Sequence, residues 1–215
     1  MAYYPVNLDL RGRRCLVAGG GEVACRKVDA LLEFQAKVVL ISPEIVPPLK
    51  QLVEQGVIEY IKGKYHPACL DDAFLVFAAT GDKETNRRIA EDAEKKGVPV
   101  NVADAPELCT FTVPAVVHRG DLTISISTGG KSPALSRSVR KELEEKYGDE
   151  MRQLTRFLGE VREYLISRIS DAETRKKILS CLGETRTAEF YRRGEGKMLE
   201  EAVWCYIKEM ESSEE

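Results

Sequence analysis

The sequence predicts an α/β protein in which a parallel sheet is followed by a hairpin and a set of helices. Short apolar runs alternate with helical stretches from residue 13 to about residue 101, which is typical of βαβ units around a parallel sheet. Two strand-like runs flank a tight turn between residues 111 and 128. Beyond residue 132, apolar residues recur every three or four positions, as on the buried face of a helix. We therefore expect a Rossmann-type domain over residues 1–112, a dimerisation hairpin and helix over 113–147, and a small helical domain over 148–215.

Composition narrows the class of protein. The chain has 215 residues, 43% of them hydrophobic, which is enough to bury one large core or two small ones. A formal net charge of -3 argues against nucleic acid as the main partner. No apolar run reaches the roughly 18–20 residues of a membrane helix, and the N-terminus lacks the features of a signal peptide. Six cysteines without a CxxC pair indicate reduced thiols and no zinc site. We therefore expect a cytoplasmic globular protein without a metal site of its own.

The elements of the first domain can be placed in order. A buried strand over 15–18 runs into three glycines, and a helix over 22–34 follows with its apolar residues on one face. The second strand covers 38–41, a helix runs from the prolines at 47–48 to residue 53, and the third strand covers 57–61. A buried fourth strand spans 74–79, a helix over 84–96 ends at Gly97, and the fifth strand spans 98–102.

The second half of the chain begins with a predicted hairpin whose arms cover 111–117 and 122–128. Apolar and polar residues alternate along its second arm, so one face should be buried. A hairpin outside the parallel sheet has free edges, and we therefore expect a homodimer with residues 111–128 at its interface. Ser132 and Pro133 open a helix over 134–146. Further helical stripes cover 151–169 and 199–210, and residues 209–215 are expected to form a frayed tail.

The three glycines between the first strand and the first helix form the clearest functional motif. Gly19, Gly21 and Ala24 fit the pattern G-x-G-x-x-A in the strand-to-helix context of dinucleotide binding. Gly19 makes the tight turn, Gly21 lets a pyrophosphate approach the backbone, and Ala24 allows the helix to pack closely on the strand. The helix N-terminus then offers free N–H groups to the phosphates. The alternative is a plain glycine turn, in which the entropic cost of three glycines would serve no function.

The acidic residue that usually binds the ribose at the end of the second strand is absent. Ser42 stands near its place and can make one hydrogen bond to the ribose, and Glu44 could make another if the turn folds back. This departure leaves the choice between NAD and NADP open. Arg26 and Lys27 could contact a 2′-phosphate or be ordinary surface charges. Thr80, at the end of the fourth strand, should pass near the adenosine half of the cofactor.

Asn101 and Asp104 lie at the end of the fifth strand, at the same edge of the sheet. A carboxylate there stands where the nicotinamide half and the substrate would meet. Asp104 can therefore take a proton while a hydride leaves to the cofactor. The alternative is a turn-forming aspartate before Ala105 and Pro106, and the spacing alone leaves both interpretations open.

A second glycine-rich segment precedes the helix over 134–146. Two glycines, a lysine and flanking hydroxyls at a helix start are typical of an anion-binding loop. Arg137, further along the helix, could add a cationic contact to a carboxylated ligand. A hairpin turn followed by a helix cap would need only some of these residues, so a purely structural role is equally compatible with them. The segment consists of Thr128, Gly129, Gly130, Lys131 and Ser132.

Together these motifs resemble the precorrin-2 dehydrogenase and sirohydrochlorin ferrochelatase family, the NAD-dependent module of sirohaem synthesis. The resemblance covers about the first 145 residues. It rests on residues 16–27, on 77–80, on 101–106 with Phe111 and Pro114, and on 127–137, which occur in the family's order. The combination of GGGxVAxRK, NxxDAP and SxGGxSP is far more specific than the glycine motif alone. The helical remainder resembles the family only in length and character.

The resemblance implies a homodimer that oxidises precorrin-2 to sirohydrochlorin, with a hydride passing to NAD+. Asp104 corresponds to the family's catalytic aspartate, and Glu22, Val23, Pro43 and Glu44 match its NAD contacts. Some members also insert Fe2+ into sirohydrochlorin with the same aspartate, and others do not. A serine that is phosphorylated in some fused members is replaced by threonine at position 128.

Two other functions fit parts of the sequence. A non-enzymatic, dinucleotide-sensing regulatory module would need neither Asp104 nor the second glycine segment, but it would need an output domain. A chelatase that works without NAD would leave the first glycine loop without a role. The carboxylates of precorrin-2 favour the dehydrogenase, because Arg119, Lys131, Arg137 and Arg140 offer complementary charge.

Overall fold

The computed structural model describes residues 3–214, with side chains to residue 211. The chain divides into two compact units, Met1–Val113 and Pro114–Glu215, and each has an apolar core of its own. None of the helices in the described chain combines the length and the hydropathy that a membrane span requires. The division into three parts stays a prediction.

The first unit is a doubly wound α/β domain, as the sequence predicts. Its strands are β1 (Arg14–Ala18), β2 (Lys37–Ser42), β3 (Glu59–Lys62), β4 (Leu75–Ala78) and β5 (Val100–Val102). All pairings are parallel, in the order β3-β2-β1-β4-β5. The chain leaves β1 towards β2 and later returns on its other side as β4. A ligand of such a sheet binds outside the carboxyl ends of the strands at this switch point.

Helices cover both faces of the sheet, which explains why its central strands are continuously apolar. One face packs against α1 (Glu22–Glu33) and α2 (Pro47–Glu54), and the other against α3 (Lys83–Lys96). The strand residues Leu16 and Val17 point to opposite faces, and both are fully buried. Two short 3-10 helices, Pro67–Leu70 and Pro106–Leu108, lie in the connections.

The strands β3 and β5 begin two residues later than the sequence predicts, because the preceding helices end in turns that use the extra residues. The N–H group of Val57 donates to Leu52 O at 2.9 Å, and the Val57 side chain is 47% exposed. The N–H group of Val98 likewise donates to Ala93 O at 2.9 Å, after Gly97 has ended α3.

The second unit joins a hairpin to a helical core. Tyr164, on the helix over Glu150–Arg168, donates its hydroxyl hydrogen to a Glu211 carboxylate oxygen at 3.0 Å and links the last helix to the core. That last helix, Gly196–Glu214, continues beyond residue 209, so the predicted frayed tail is wrong as far as residue 214, while Glu215 lies outside the described residues. The elements are β6 (Ala115–Arg119), β7 (Leu122–Ile126), α4 (Pro133–Lys146), α5 (Glu150–Arg168), α6 (Ala172–Leu182), α7 (Ala188–Arg192) and α8 (Gly196–Glu214), with a 3-10 helix at Thr185–Thr187.

The hairpin forms as predicted, but its first arm is shorter. The strands β6 and β7 pair antiparallel, and along β7 half-buried apolar residues alternate with exposed polar ones. The first arm begins at Ala115 rather than at Phe111, because the Phe111 ring packs edge-on against Phe77 in the first unit, with 5.4 Å between the ring centroids.

Candidate cofactor site and active-site turn

Two glycines in the loop after β1 are required by close backbone packing. At Gly19, φ is +129°, and a Cβ atom would lie 2.2 Å from the carbonyl oxygen of Ala79, just after β4. At Gly20, a Cβ atom would lie 1.9 Å from the carbonyl oxygen of Glu44, just after β2. A side chain fits at neither position, since the obstacles are backbone atoms. The requirement for glycine at position 20 does not follow from the glycine motif alone.

Gly21 differs because the space beside it is open, and a Cβ atom there would meet nothing within 4 Å. Gly21 is the N-cap residue of α1, and no side chain in the described chain caps this helix. The N–H groups in the first turn of a helix have no intrahelical acceptor and therefore attract anions. Glu22 and Val23 begin this turn, and Ala24 is fully buried beneath it. An open, uncapped helix start fits the pyrophosphate of a dinucleotide.

A cavity of about 430 Å³ opens beside the glycine loop at the carboxyl edge of the sheet. In doubly wound sheets this crevice receives the bound nucleotide. The predicted residues Gly19, Ser42, Pro43 and Thr80 all line it. The cavity is also lined by residues that were not predicted, because the motifs concerned only the ends of β1, β2, β4 and β5. Among them are Lys64 and Tyr65, which follow β3, and Thr85 and Arg88 on α3.

The end of β2 folds back towards the glycine loop. The Ser42 hydroxyl donates to the carbonyl oxygen of Glu44 at 2.6 Å, and the Val46 N–H group donates to Gly20 O at 2.9 Å. Ser42 therefore shapes the turn, and its oxygen, rather than its proton, is left to bind a ribose hydroxyl. The side chains of Pro43 and Glu44 are exposed on this turn.

Lys27 lies in neither of the two environments considered from the sequence. Its ammonium nitrogen is 5.1 Å from the ring centroid of Phe77, on β4, and burial lowers the pKa of this lysine. It therefore points to the β4 side of α1, away from the end of β2, where a 2′-phosphate would be expected. The lysine is a half-buried cation packed on an aromatic ring. Arg26 is exposed.

The loop after β4 is held by a buried amide that sequence reasoning missed. Asn86 is 6% exposed, and its Oδ1 accepts both the N–H group of Thr80 at 3.1 Å and the Thr80 hydroxyl at 2.7 Å. Its Nδ2 donates to Thr80 O at 3.1 Å. Asp82 caps α3 by accepting from the N–H groups of Glu84 and Thr85. The only sequence signal for Asn86 is a polar residue on the apolar face of α3.

Asp104 lies two residues after β5, in a turn from Val102 to Ala105. Its φ is +59°, a left-handed conformation that is uncommon for a residue with a Cβ atom, although aspartate adopts it more often than most. The side chain is exposed, and no backbone group or side chain among residues 3–211 hydrogen-bonds to its carboxylate. A turn-forming aspartate would use its carboxylate to accept nearby N–H groups. The geometry therefore favours the functional interpretation of Asp104.

The side-chain amide of Asn101 already bonds to the chain segment that returns past β5. Its Nδ2 donates to the carbonyl oxygen of Phe111 at 3.0 Å and lies 3.7 Å from the Cys109 sulfur. Its role as a cofactor ligand stays a prediction, which would have to rest on the amide oxygen.

In the second unit, hydroxyl side chains in and beside the glycine-rich segment before α4 accept hydrogen bonds from the segment's own N–H groups. Thr128 Oγ1 accepts the N–H group of Ser132 at 3.0 Å, and Ser127 Oγ accepts that of Gly129 at 3.1 Å. Ser132 Oγ then caps α4 by accepting from the N–H group of Leu135 at 3.2 Å. Several of the donors that an anion would use are thus taken, which favours the cap interpretation for the backbone of this segment.

The four cationic side chains of the second unit that the sequence predicts as substrate contacts divide into two groups. Arg119 donates to Tyr147 O, and Arg140 pairs with Glu144 at 2.5 Å. Lys131 and Arg137 are exposed, and no ion pair to either occurs among the side chains of residues 3–211. These two remain to contact a carboxylated ligand. The φ angles of Gly129 and Gly130, +61° and +80°, suit the turn that presents Lys131.

Comparison with known proteins places the chain in a family. Residues 6–115 match an NAD(P)-binding family model, and residues 119–146 match the model of the central part of sirohaem biosynthesis proteins. The chain belongs to the sirohaem synthase family of NAD(P)-binding proteins. This membership confirms the predicted family and the predicted cofactor, NAD.

Relatives resemble the chain over most of its length. Siroheme synthase of Methylobacillus flagellatus is 42% identical over 176 residues, which is 82% of this chain and 38% of the relative. Siroheme synthase of Chromobacterium violaceum is 38% identical over 195 residues, which is 91% of this chain and 42% of the relative. The chain thus spans about two fifths of the length of these curated relatives. The solved structure of SirC, precorrin-2 dehydrogenase, is 27% identical with a TM-score of 0.74, covering 93% of this chain and 100% of that chain.

The described part of the chain contains no cluster of side chains that is dedicated to a metal ion. No group of three or more His, Cys, Asp or Glu side chains that could hold a metal ion occurs there.

Proposed function

We propose that this chain is an NAD-dependent precorrin-2 dehydrogenase that forms sirohydrochlorin in sirohaem biosynthesis. The observation that carries the proposal is Asp104, a strained and unpartnered carboxylate at the same edge of the sheet as the open dinucleotide loop. The likeness to SirC, which extends over all of that chain, supports the same activity.

Different residues would bind the cofactor and transfer the proton. The first turn of α1 would hold the pyrophosphate through its N–H groups, and the cavity at Ser42 and Thr80 would hold the adenosine half. NAD, when bound, supplies the acceptor for a hydride. As a saturated carbon of precorrin-2 loses its hydride, Asp104 takes the proton from the adjoining position. Each turnover then yields sirohydrochlorin, NADH and one proton, which Asp104 releases to water.

Precorrin-2 is a polycarboxylate, and we propose that Lys131 and Arg137 bind its acid groups. Both side chains are exposed and remain available, unlike Arg119 and Arg140. The exposed carboxylate of Asp104 could also accept protons that leave sirohydrochlorin as Fe2+ enters it, so Fe2+ belongs to the proposal as a second substrate.

We further propose that the chain works as a homodimer in the cytoplasm, with the hairpin and α4 at the interface. The helix α4 buries only Ser136 within its own chain, and Leu135 is 54% exposed. Ile124 and Ile126 on β7 are only half-buried. A partner surface would cover these apolar groups. Sedimentation at micromolar concentration should show about twice the 24.0 kDa chain mass, and a clean monomer would contradict the dimer.

The test of the reaction is Asp104→Asn, which keeps the shape of the side chain and removes its basicity. Turnover of precorrin-2 should fall by roughly two to four orders of magnitude, while NAD affinity stays unchanged. Asp72→Asn is a matched control, because Asp72 has the same φ of +59° in a turn before β4, at the opposite edge of the sheet. This control should turn over at the wild-type rate.

The other functions predict different outcomes. Near-normal turnover by Asp104→Asn would dismiss the assigned base. A wild-type chain that binds NAD+ but oxidises no precorrin-2 would favour the regulatory module. Adding Fe2+ after the oxidation distinguishes a bifunctional enzyme, which forms sirohaem, from a dehydrogenase, which stops at sirohydrochlorin.

A further inference from the structure

The free edge of β5 is covered by the chain that returns after the Asp104 turn. Pro99 O and the N–H group of Ala103 bond to β4, so the backbone groups of Val100 and Val102 face away from the sheet. Thr110 supplies the hydrogen-bond partners for both backbone groups of Val100. Its N–H group donates to Val100 O at 2.9 Å, and its Oγ1 accepts the N–H group of Val100 at 2.8 Å. A buried edge needs such partners, because unpaired backbone groups are costly.

At Val102 the partner is a side chain, the thiol of Cys109. The sulfur accepts the N–H group of Val102 at 3.1 Å and lies 3.4 Å from Val102 O. It also lies 3.4 Å from the carbonyl oxygen of Ala105 and shares its single proton between the two oxygens. One sulfur atom therefore contacts the residues on both sides of the Ala103–Asp104 pair. The turn's own closing bond, from Ala105 N to Val102 O, is long at 3.5 Å.

We propose that Cys109 is a positioning residue that fixes the backbone of the Asp104 turn, and with it the direction of the catalytic carboxylate. The inference rests on the proposed function of Asp104. Since no group among residues 3–211 bonds to this carboxylate, we infer that the backbone of the turn sets its direction. A left-handed aspartate persists only where its surroundings hold it. The sulfur supplies that support from outside the turn.

A serine at position 109 would keep a donor and an acceptor. Its shorter C–O bond, however, would not reach all three backbone groups. An alanine would leave the N–H group of Val102 without this partner and would leave Val102 O with only the long bond from Ala105 N. The three residues thus form a graded series, Cys109, Cys109→Ser and Cys109→Ala, at nearly constant volume.

Cys69 provides a matched control in the same unit. Its thiol is 2% exposed and contacts the His66 ring at 3.3 Å, and its carbonyl oxygen accepts from Arg14 at the start of β1. It therefore lies at the amino edge of the sheet, away from the Asp104 turn. Cys69→Ala removes a buried thiol of the same size and should leave turnover unchanged.

The experiment measures kcat and KM for precorrin-2 and the affinity for NAD in each variant. Cys109→Ala should lower kcat by about 10- to 100-fold, the range expected when a reacting group is displaced by about 1 Å. KM and NAD affinity should change by less than about twofold, which also shows that the unit is folded. Cys109→Ser should recover part of kcat. A wild-type kcat in folded Cys109→Ala would overturn the inference, and so would equal losses in Cys109→Ala and Cys69→Ala.

A double variant shows whether Cys109 acts through Asp104. If it does, Cys109→Ala should cost nothing further in a chain that already carries Asp104→Asn, since the carboxylate it positions is gone. Losses that multiply would contradict a positioning role. Wild-type turnover by Asp104→Asn alone would overturn the proposed function and this inference together. A full effect of Asp104→Asn beside a silent Cys109→Ala would overturn the inference alone.

Discussion

The two glycine-rich segments of the chain look alike in sequence and differ in structure. Both precede a helix, α1 in the first unit and α4 in the second. Among the described residues, no side chain caps the start of α1, and the space over Gly21 is open. The start of α4 is capped by Ser132, and Thr128 takes the N–H group of Ser132 itself. Glycines permit a backbone to approach a ligand, but neighbouring hydroxyls decide whether its N–H groups are free to bind one.

The largest effect that the comparison predicts is at Gly21. Gly21→Val should fold, since a Cβ atom there meets nothing within 4 Å, but the side chain should block the approach of the pyrophosphate. Loss of two charge-assisted hydrogen bonds, each about 1.5–3 kcal/mol, corresponds to a fall in NAD affinity of about 100-fold or more. Calorimetric titration measures it. Wild-type affinity in the folded variant would remove the distinction between the two segments.

A substitution at Gly20 should lower the stability of the protein. In Gly20→Ala the new Cβ would meet the carbonyl oxygen of Glu44, so either the end of β2 or the loop must shift. Overpacking of this kind costs about 1–3 kcal/mol. Urea denaturation should show the loss in the free energy of unfolding. A variant as stable as the wild type would mean that the loop does not pack against Glu44 O as closely as described.

At the second segment, we expect the Lys131 side chain to carry the binding. Lys131→Glu should raise KM for precorrin-2 about tenfold at low ionic strength, which is about 1.4 kcal/mol, and leave NAD affinity nearly unchanged. The defect should shrink at high salt, where the repulsion is screened. An unchanged KM at low ionic strength would assign the segment a purely structural role.

The smallest expected effect is at the hydroxyl that closes the segment. Thr128→Val removes the acceptor for the N–H group of Ser132 and should lower the free energy of unfolding by about 1 kcal/mol. KM for precorrin-2 should stay within about twofold of the wild type. A raised KM with no change in thermal stability would instead show that the hydroxyl contacts the substrate.

The fold and the first glycine loop could be predicted because their signals are local. The alternation of strands and helices fixes a parallel sheet, and the glycine spacing lies within one strand-to-helix turn. Features that depend on contacts between distant segments were out of reach. Examples are the requirement for glycine at position 20, imposed by Glu44, and the support of the Thr80 loop by Asn86. The Ser42 hydroxyl was expected on the ribose and instead donates within its own turn.

The measurement that tests the dehydrogenase most directly is the stoichiometry of the wild-type reaction. The chain is incubated anaerobically with precorrin-2 and NAD+, and sirohydrochlorin and NADH are followed together by their absorbance. We expect the two products to appear in equal amounts and at the same rate, with no reaction when NAD+ is omitted. Sirohydrochlorin formed without NADH, or NAD+ bound with neither product formed, would contradict the account.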